Sequence, residues 1–175
     1  MNKFIFVAAS LFLIHSLDAE AQGRARVAGA KANAQGGVTA GSAAATSGPN
    51  GGRLARGAVI ATDAEGNAVG SSAAALETTS GGQAARAGGF QRNAGGGGTR
   101  SGGFAASGTQ GTVQSTGSVT RGADGSVAGL RQTSATSQSG AAYDGSTAYD
   151  SNSGVSHNGT CTDANGNVVT CPKPN

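Results

Sequence analysis

The chain has 175 residues, a formal charge of +3, and 32 Gly against 2 Tyr, 5 Phe and no Trp. Beyond residue 21, Gly, Ala, Ser and Thr supply 95 of 154 residues, leaving eighteen Val, Leu, Ile, Phe and Tyr. Each fully buried large apolar side chain contributes about 1.5–3 kcal/mol, whereas ordering one residue costs roughly 1–2 kcal/mol, so neither a conventional core nor a compact enzyme is expected. In chain order, the first element is an export signal. Met1-Asn2-Lys3 is a positive start, Phe4 to Leu17 is an apolar run, and Ala19-Glu20-Ala21 offers small residues for cleavage before Gln22. The run is too short for a helical membrane span, which needs about 20 apolar residues. No second such run follows. The expected location is therefore secreted, at the cell surface or periplasmic.

Residues 22–52 show no sustained period, and glycines interrupt their alanine clusters. They read as a disordered, linker-like segment closed by Pro49-Asn50-Gly51-Gly52. Residues 53–80 read as a β-hairpin turning at Asp63-Ala64-Glu65-Gly66-Asn67, followed by a short helix over 71–79.

Residues 81–108 hold a glycine-rich repeat, in which Arg86-Ala87-Gly88-Gly89-Phe90 recurs fourteen residues later as Arg100-Ser101-Gly102-Gly103-Phe104. Arginine beside an aromatic ring is the pairing that meets phosphate and stacks on bases in nucleic-acid-binding tails. In an exported chain the plainer expectation is that Phe90 and Phe104 are sparse contact points between glycine spacers.

From 109 to 171, Val and Thr recur between Asp124-Gly125, Asp144-Gly145 and Asn165-Gly166, a pattern of short hairpins. Tyr143 and Tyr149 are six residues apart, so one strand would present both rings on one face. The segment Ala61 to Val69 matches Cys161 to Val169 at six of nine positions, and Thr120 to Val127 is a looser copy. Recurrent hairpin units suggest a repetitive β architecture. Cys161 and Cys171 are the only cysteines. Export supplies the oxidising compartment for a disulfide between them. A three-residue loop Asn165-Gly166-Asn167 would place them directly opposite each other. The tail is 172–175.

Other chemistry is sparse. Beyond the leader His157 is the single histidine, too few partners for a metal site with two paired thiols. Asp63, Glu65, Glu77, Asp124, Asp144, Asp150 and Asp163 are solitary or turn acids rather than an opposed catalytic pair. Asn158-Gly159-Thr160 fits an N-glycosylation acceptor. No cofactor is expected.

Tyr143 to Tyr149, His157 to Thr160 and Cys161 to Pro172 carry a resemblance to uncharacterised secreted Gly/Ser/Thr-rich surface proteins of Gram-negative bacteria, many of which end in a Cys-bounded hairpin. The resemblance covers roughly thirty residues and implies a surface location without assigning chemistry.

The fold expectation is thus a low-complexity, largely disordered N-terminal half and a β-rich C-terminal part ending in a disulfide hairpin. The functional expectation is a non-enzymatic, self-associating structural protein of a surface fibre, extracellular matrix or adhesive layer, with Phe90, Phe104, Tyr143 and Tyr149 as assembly contacts. An alternative is binding to polyanions such as extracellular DNA, acidic glycan or an anionic envelope through Arg53, Arg56, Arg86, Arg92 and Arg100, within a wider set of Arg24, Arg26, Lys31, Arg121 and Arg131. A second alternative is a glycine-rich ice-binding protein built from packed polyproline-II helices.

Overall fold

The computed structural model describes residues 23–171; the expected leader and the 172–175 tail lie outside them. The fold is set by its turns. Glycines with positive φ stand at 36, 51, 66, 81, 96 and 111, every fifteen residues, and continue at 125, 140, 154 and 166. Eight of these ten close the same hairpin turn. In the turn at 33–37, Asn33 N–H donates to the Gly37 carbonyl at 3.0 Å and Gly36 N–H to the Asn33 carbonyl at 3.2 Å. This is a three-residue loop ending in a left-handed residue that forms a bulge. Glycine adopts that left-handed conformation without the clash a Cβ would suffer.

Strands of nine to eleven residues fit between successive turns. They are β1 (Gly23–Ala32), β2 (Val38–Ser47), β3 (Arg53–Thr62), β4 (Ala68–Glu77), β5 (Gln83–Arg92), β6 (Gly98–Gly108), β7 (Gly111–Arg121), β8 (Val127–Ser137), β9 (Ala142–Asp150) and β10 (Gly154–Thr162). A two-residue β11 (Val168–Val169) completes one antiparallel meander in strict chain order. Each strand contacts only its sequence neighbours.

Two expectations are corrected here. The stretch 22–52 is not linker-like, because β1 and β2 occupy it in continuous register from Gly23↔Ser47 to Ala32↔Val38. Its glycines are turn formers spaced one strand apart. The helix expected over 71–79 is instead strand β4 up to Glu77. Although Ala73 to Glu77 favour a helix, nine residues are too few to sustain an isolated one, whereas β3 and β5 satisfy both edges of β4. The expected hairpin turning at Asp63 to Asn67 does form, between β3 and β4. Nor do the described residues form the polyproline-II bundle considered for ice binding; they pair as a β-sheet.

Among the described residues no second layer covers the sheet. Fourteen of the eighteen large apolar residues are exposed, and Cys161 is the only buried hydrophobic residue among those described. Backbone ladders and turns, rather than a core, hold this chain in shape.

Candidate functional site

Because side chains alternate across a strand, the register sorts every residue onto one of two faces. Arg26, Ala44, Arg56, Ala74, Arg86, Phe104, Ser115 and Thr133 form one transverse row. Two residues along, the row is Ala28, Ser42, Ala58, Ser72, Gly88, Gly102, Gly117 and Arg131. Beyond it lies Ala30, Ala40, Ile60, Gly70, Phe90, Arg100, Val119, Gly129 and Tyr149. All three rows share a face, and extending the alternation adds Arg24, Arg92, Arg121 and Tyr143 to it.

This face therefore carries eight arginines and no acid within β1 to β10. The opposite face holds Lys31, Arg53, Glu77, Asp144 and Asp150, together with an alanine row running Ala25, Ala45, Ala55, Ala75, Ala85 and Ala105. Of the five arginines singled out from the sequence, Arg56, Arg86, Arg92 and Arg100 come together on one face, and Arg53 lies on the other. Phe90, Phe104, Tyr143 and Tyr149 all lie on the arginine face. The two tyrosines share β9, as their even spacing required.

A groove of about 1340 Å³ runs across the strands on this face. Its floor is the small-residue row from Ser42 to Gly117; Arg86, Phe104 and Ser115 form one wall, and Ile60, Phe90, Arg100 and Val119 the other. The Arg-x-Gly-Gly-Phe repeat builds both walls. The two copies lie antiparallel, so Arg86 faces Phe104 and Phe90 faces Arg100. At the end of the groove Arg131 is held in place. Its Nε donates to Ser115 Oγ at 2.9 Å, and its guanidinium carbon sits 5.9 Å from the Phe104 ring centre. Ser115 is buried, and its hydroxyl donates to the Gln132 carbonyl at 2.9 Å. These contacts fix the Arg131 side chain while its terminal nitrogens remain free to fork onto an anion.

Glycine within a strand leaves the sheet uncovered, and aromatic rings fill that gap twice. The Phe90 ring occupies the space a Cβ on Gly70 would need. The Tyr143 ring lies across Gly145 and Gly159 in the same way. Tyr143 Oη also lies 3.4 Å from His157 Nε2, and Thr147 Oγ1 lies 2.9 Å from His157 Nδ1. The single described histidine thus belongs to a surface hydrogen-bond chain.

Three turn acids, Asp63, Asp124 and Asp163, have structural partners at the sheet ends. Asp63 Oδ1 accepts from Asn67 N–H at 2.8 Å and Oδ2 from Asn67 Nδ2 at 2.7 Å. Asp163 repeats this with Asn167 at 2.9 and 3.1 Å, which explains why the two segments match in sequence. Asp124 accepts from the Ser126 hydroxyl at 2.7 Å. Hydrogen bonds from Asn67, Ser126 and Asn167 side chains hold these three carboxyls below the ordinary aspartate range. Among the described residues no group of three or more His, Cys, Asp or Glu could hold a metal ion.

The disulfide joins Cys161 and Cys171, with Cα atoms 5.3 Å apart, but its register differs from the expected one. The loop is Ala164-Asn165-Gly166, one residue earlier than anticipated, so Thr162 faces Val168 and Cys161 faces Val169. Asp163 prefers the first turn position, where its carboxylate bridges to Asn167. Cys171 reaches Cys161 diagonally rather than from directly opposite.

Among the described residues no helix is long and apolar enough to cross a membrane. Comparison with protein-family models, with curated proteins and with solved structures finds no match to this chain.

Proposed function

We propose that this is a secreted, non-enzymatic structural protein of a cell-surface fibre, extracellular matrix or adhesive layer, in which copies join by continuing the sheet. The observation that carries this reading is a coreless meander with both edges open. Among the described residues, the outer edge of β1 pairs with nothing along Gly23–Ala32, and β10 is left open from Gly154 to Thr160, since β11 covers only Cys161 and Thr162. Open edges present rows of backbone donors and acceptors that template another strand. β1 and β10 run in opposite directions, so a second copy docked edge to edge continues the antiparallel alternation.

Charge favours that head-to-tail order. Lys31 on β1 lies on the same face as Asp144 and Asp150 at the other end of the sheet, so head-to-tail docking brings opposite charges onto one face. Strands two apart are separated by about 9.6 Å, slightly beyond the screening length of about 8 Å at physiological salt, so this attraction acts chiefly at low ionic strength. The disulfide hairpin restricts docking to the open part of β10.

Electron microscopy and fibre diffraction of the secreted protein over a concentration series test this. Fibres with a reflection near ~4.7 Å are expected. The variant K31E, which removes the charge match, should raise the concentration needed for assembly at low ionic strength. A wild-type protein that stays monomeric at high concentration would overturn the reading.

A further inference from the structure

We propose that the groove on the arginine face binds a linear acidic polysaccharide of the polyuronate class. The proposal does not rest on copy-to-copy assembly, because the groove is built within one chain.

The first argument is charge placement. Eight arginines share one face without an acid among them, while the opposite face mixes both signs. Such segregation makes a directional field that a merely soluble chain does not need. The second is spacing. Arg26, Arg56 and Arg86 stand in one row on alternate strands, hence about 9.6 Å apart. Two sugars of an extended 1,4-linked ribbon span a similar length, and alternate carboxylates of such a ribbon fall on the same side. Duplex DNA instead offers a phosphate every ~3.4 Å along each strand, far denser than these guanidinium groups.

The third argument is the chemistry of the walls. Phe90 and Phe104 each stand directly opposite an arginine and are 38% and 39% exposed. An apolar sugar face can lie on such a ring while the neighbouring guanidinium forks onto the carboxylate. Ser42 and Ser72 on the floor offer hydroxyls to the ring oxygens. Arg131, already fixed by Ser115 and Phe104, loses little freedom on binding.

The test measures binding of alginate, poly-dT and neutral amylose by calorimetry, at protein concentrations below assembly. Two double variants remove equal charge from opposite faces. R86Q/R100Q should weaken alginate binding about tenfold or more and flatten its salt dependence, whereas K31Q/R53Q should stay within about twofold. Circular dichroism establishes that each variant keeps its strands. Phe90→Ala should weaken binding while leaving the salt dependence unchanged, which provides an arm independent of charge. Equal losses from both double variants would show that binding follows net charge alone and would overturn the groove. Poly-dT binding as tight as alginate would overturn the polysaccharide assignment in favour of nucleic acid. Absence of alginate binding by the wild type would overturn the proposal outright, while leaving the fibre reading untouched.

Discussion

At the residue scale, this molecule depends on local pairs of side chains rather than on shared burial. Gly70 and Phe90 are cross-strand partners, and a Cβ at 70 would lie inside the Phe90 ring's space. Gly70→Ala should therefore destabilise the sheet by about 1–3 kcal/mol through forced displacement of the ring. Phe90→Ala in the same chain removes the obstacle, so the double variant should lose less than the sum of the singles, measured by urea unfolding. The turn aspartates make a second prediction. Asp63, Asp124 and Asp163 have carboxyls held below the ordinary value by hydrogen bonds from neighbouring side chains. A depressed folded value means that stabilisation is full above the ordinary aspartate range near ~4 and is lost as pH falls through the folded value. Amide chemical shifts at Gly66, Gly125 and Gly166 should move during acidification below that range. The turns at 48–52 and 78–82, which contain no acid, should remain still over the same interval. If all the turns move together, the acid response is global rather than a property of the three carboxylates.

At the element scale, disulfide reduction should act on one hairpin only. β11 meets the sheet through two residue pairs with β10, and the chain-entropy value for a loop of this size is roughly 3 kcal/mol. Hydrogen exchange after reduction should accelerate at Val168 and Val169 and leave β1 to β8 unchanged. Acceleration reaching β8 would mean that the staple supports the whole sheet. The staple itself was legible from the chain's two cysteines, and so was β structure after residue 109. Its register follows Asp163, whose carboxylate bridges to Asn167 and sets where the loop begins, rather than the Asn165-Gly166 pair. The N-terminal strands were missed for a physical reason. Hydrophobic alternation signals one buried face, and a sheet with neither face covered has no cause to alternate. The signal that could have found them is the fifteen-residue spacing of Gly36, Gly51, Gly66, Gly81, Gly96 and Gly111. Similarly, the fourteen-residue Arg-x-Gly-Gly-Phe offset looked like a translational repeat. Folding shows it to be a reciprocal pairing in which each arginine meets the other copy's phenylalanine.

At the scale of the whole molecule, charge along the sequence understates what the fold does with it. The arginines appear dilute when counted per residue, yet alternate-residue geometry and strand register gather eight of them on one side. That grouping was readable only with the register in hand, because Arg53 and Arg56 differ by three positions and so fall on opposite faces. The absence of a core has a thermodynamic consequence as well. Each strand touches only its neighbours, so stability propagates strand by strand as in repeat proteins, with interior strands flanked twice and edges once. Amide protection in the isolated monomer should accordingly be highest around β5 to β7 and decline towards β1 and β10. Assembly by sheet continuation would give β1 a second neighbour and raise its protection to the interior level. Face-to-face stacking would leave the β1 backbone edge open and its exchange fast. Hydrogen exchange on monomer and assembled protein distinguishes the two: unchanged fast exchange across Gly23–Ala32 in the fibres would rule out edge pairing, even if fibres form.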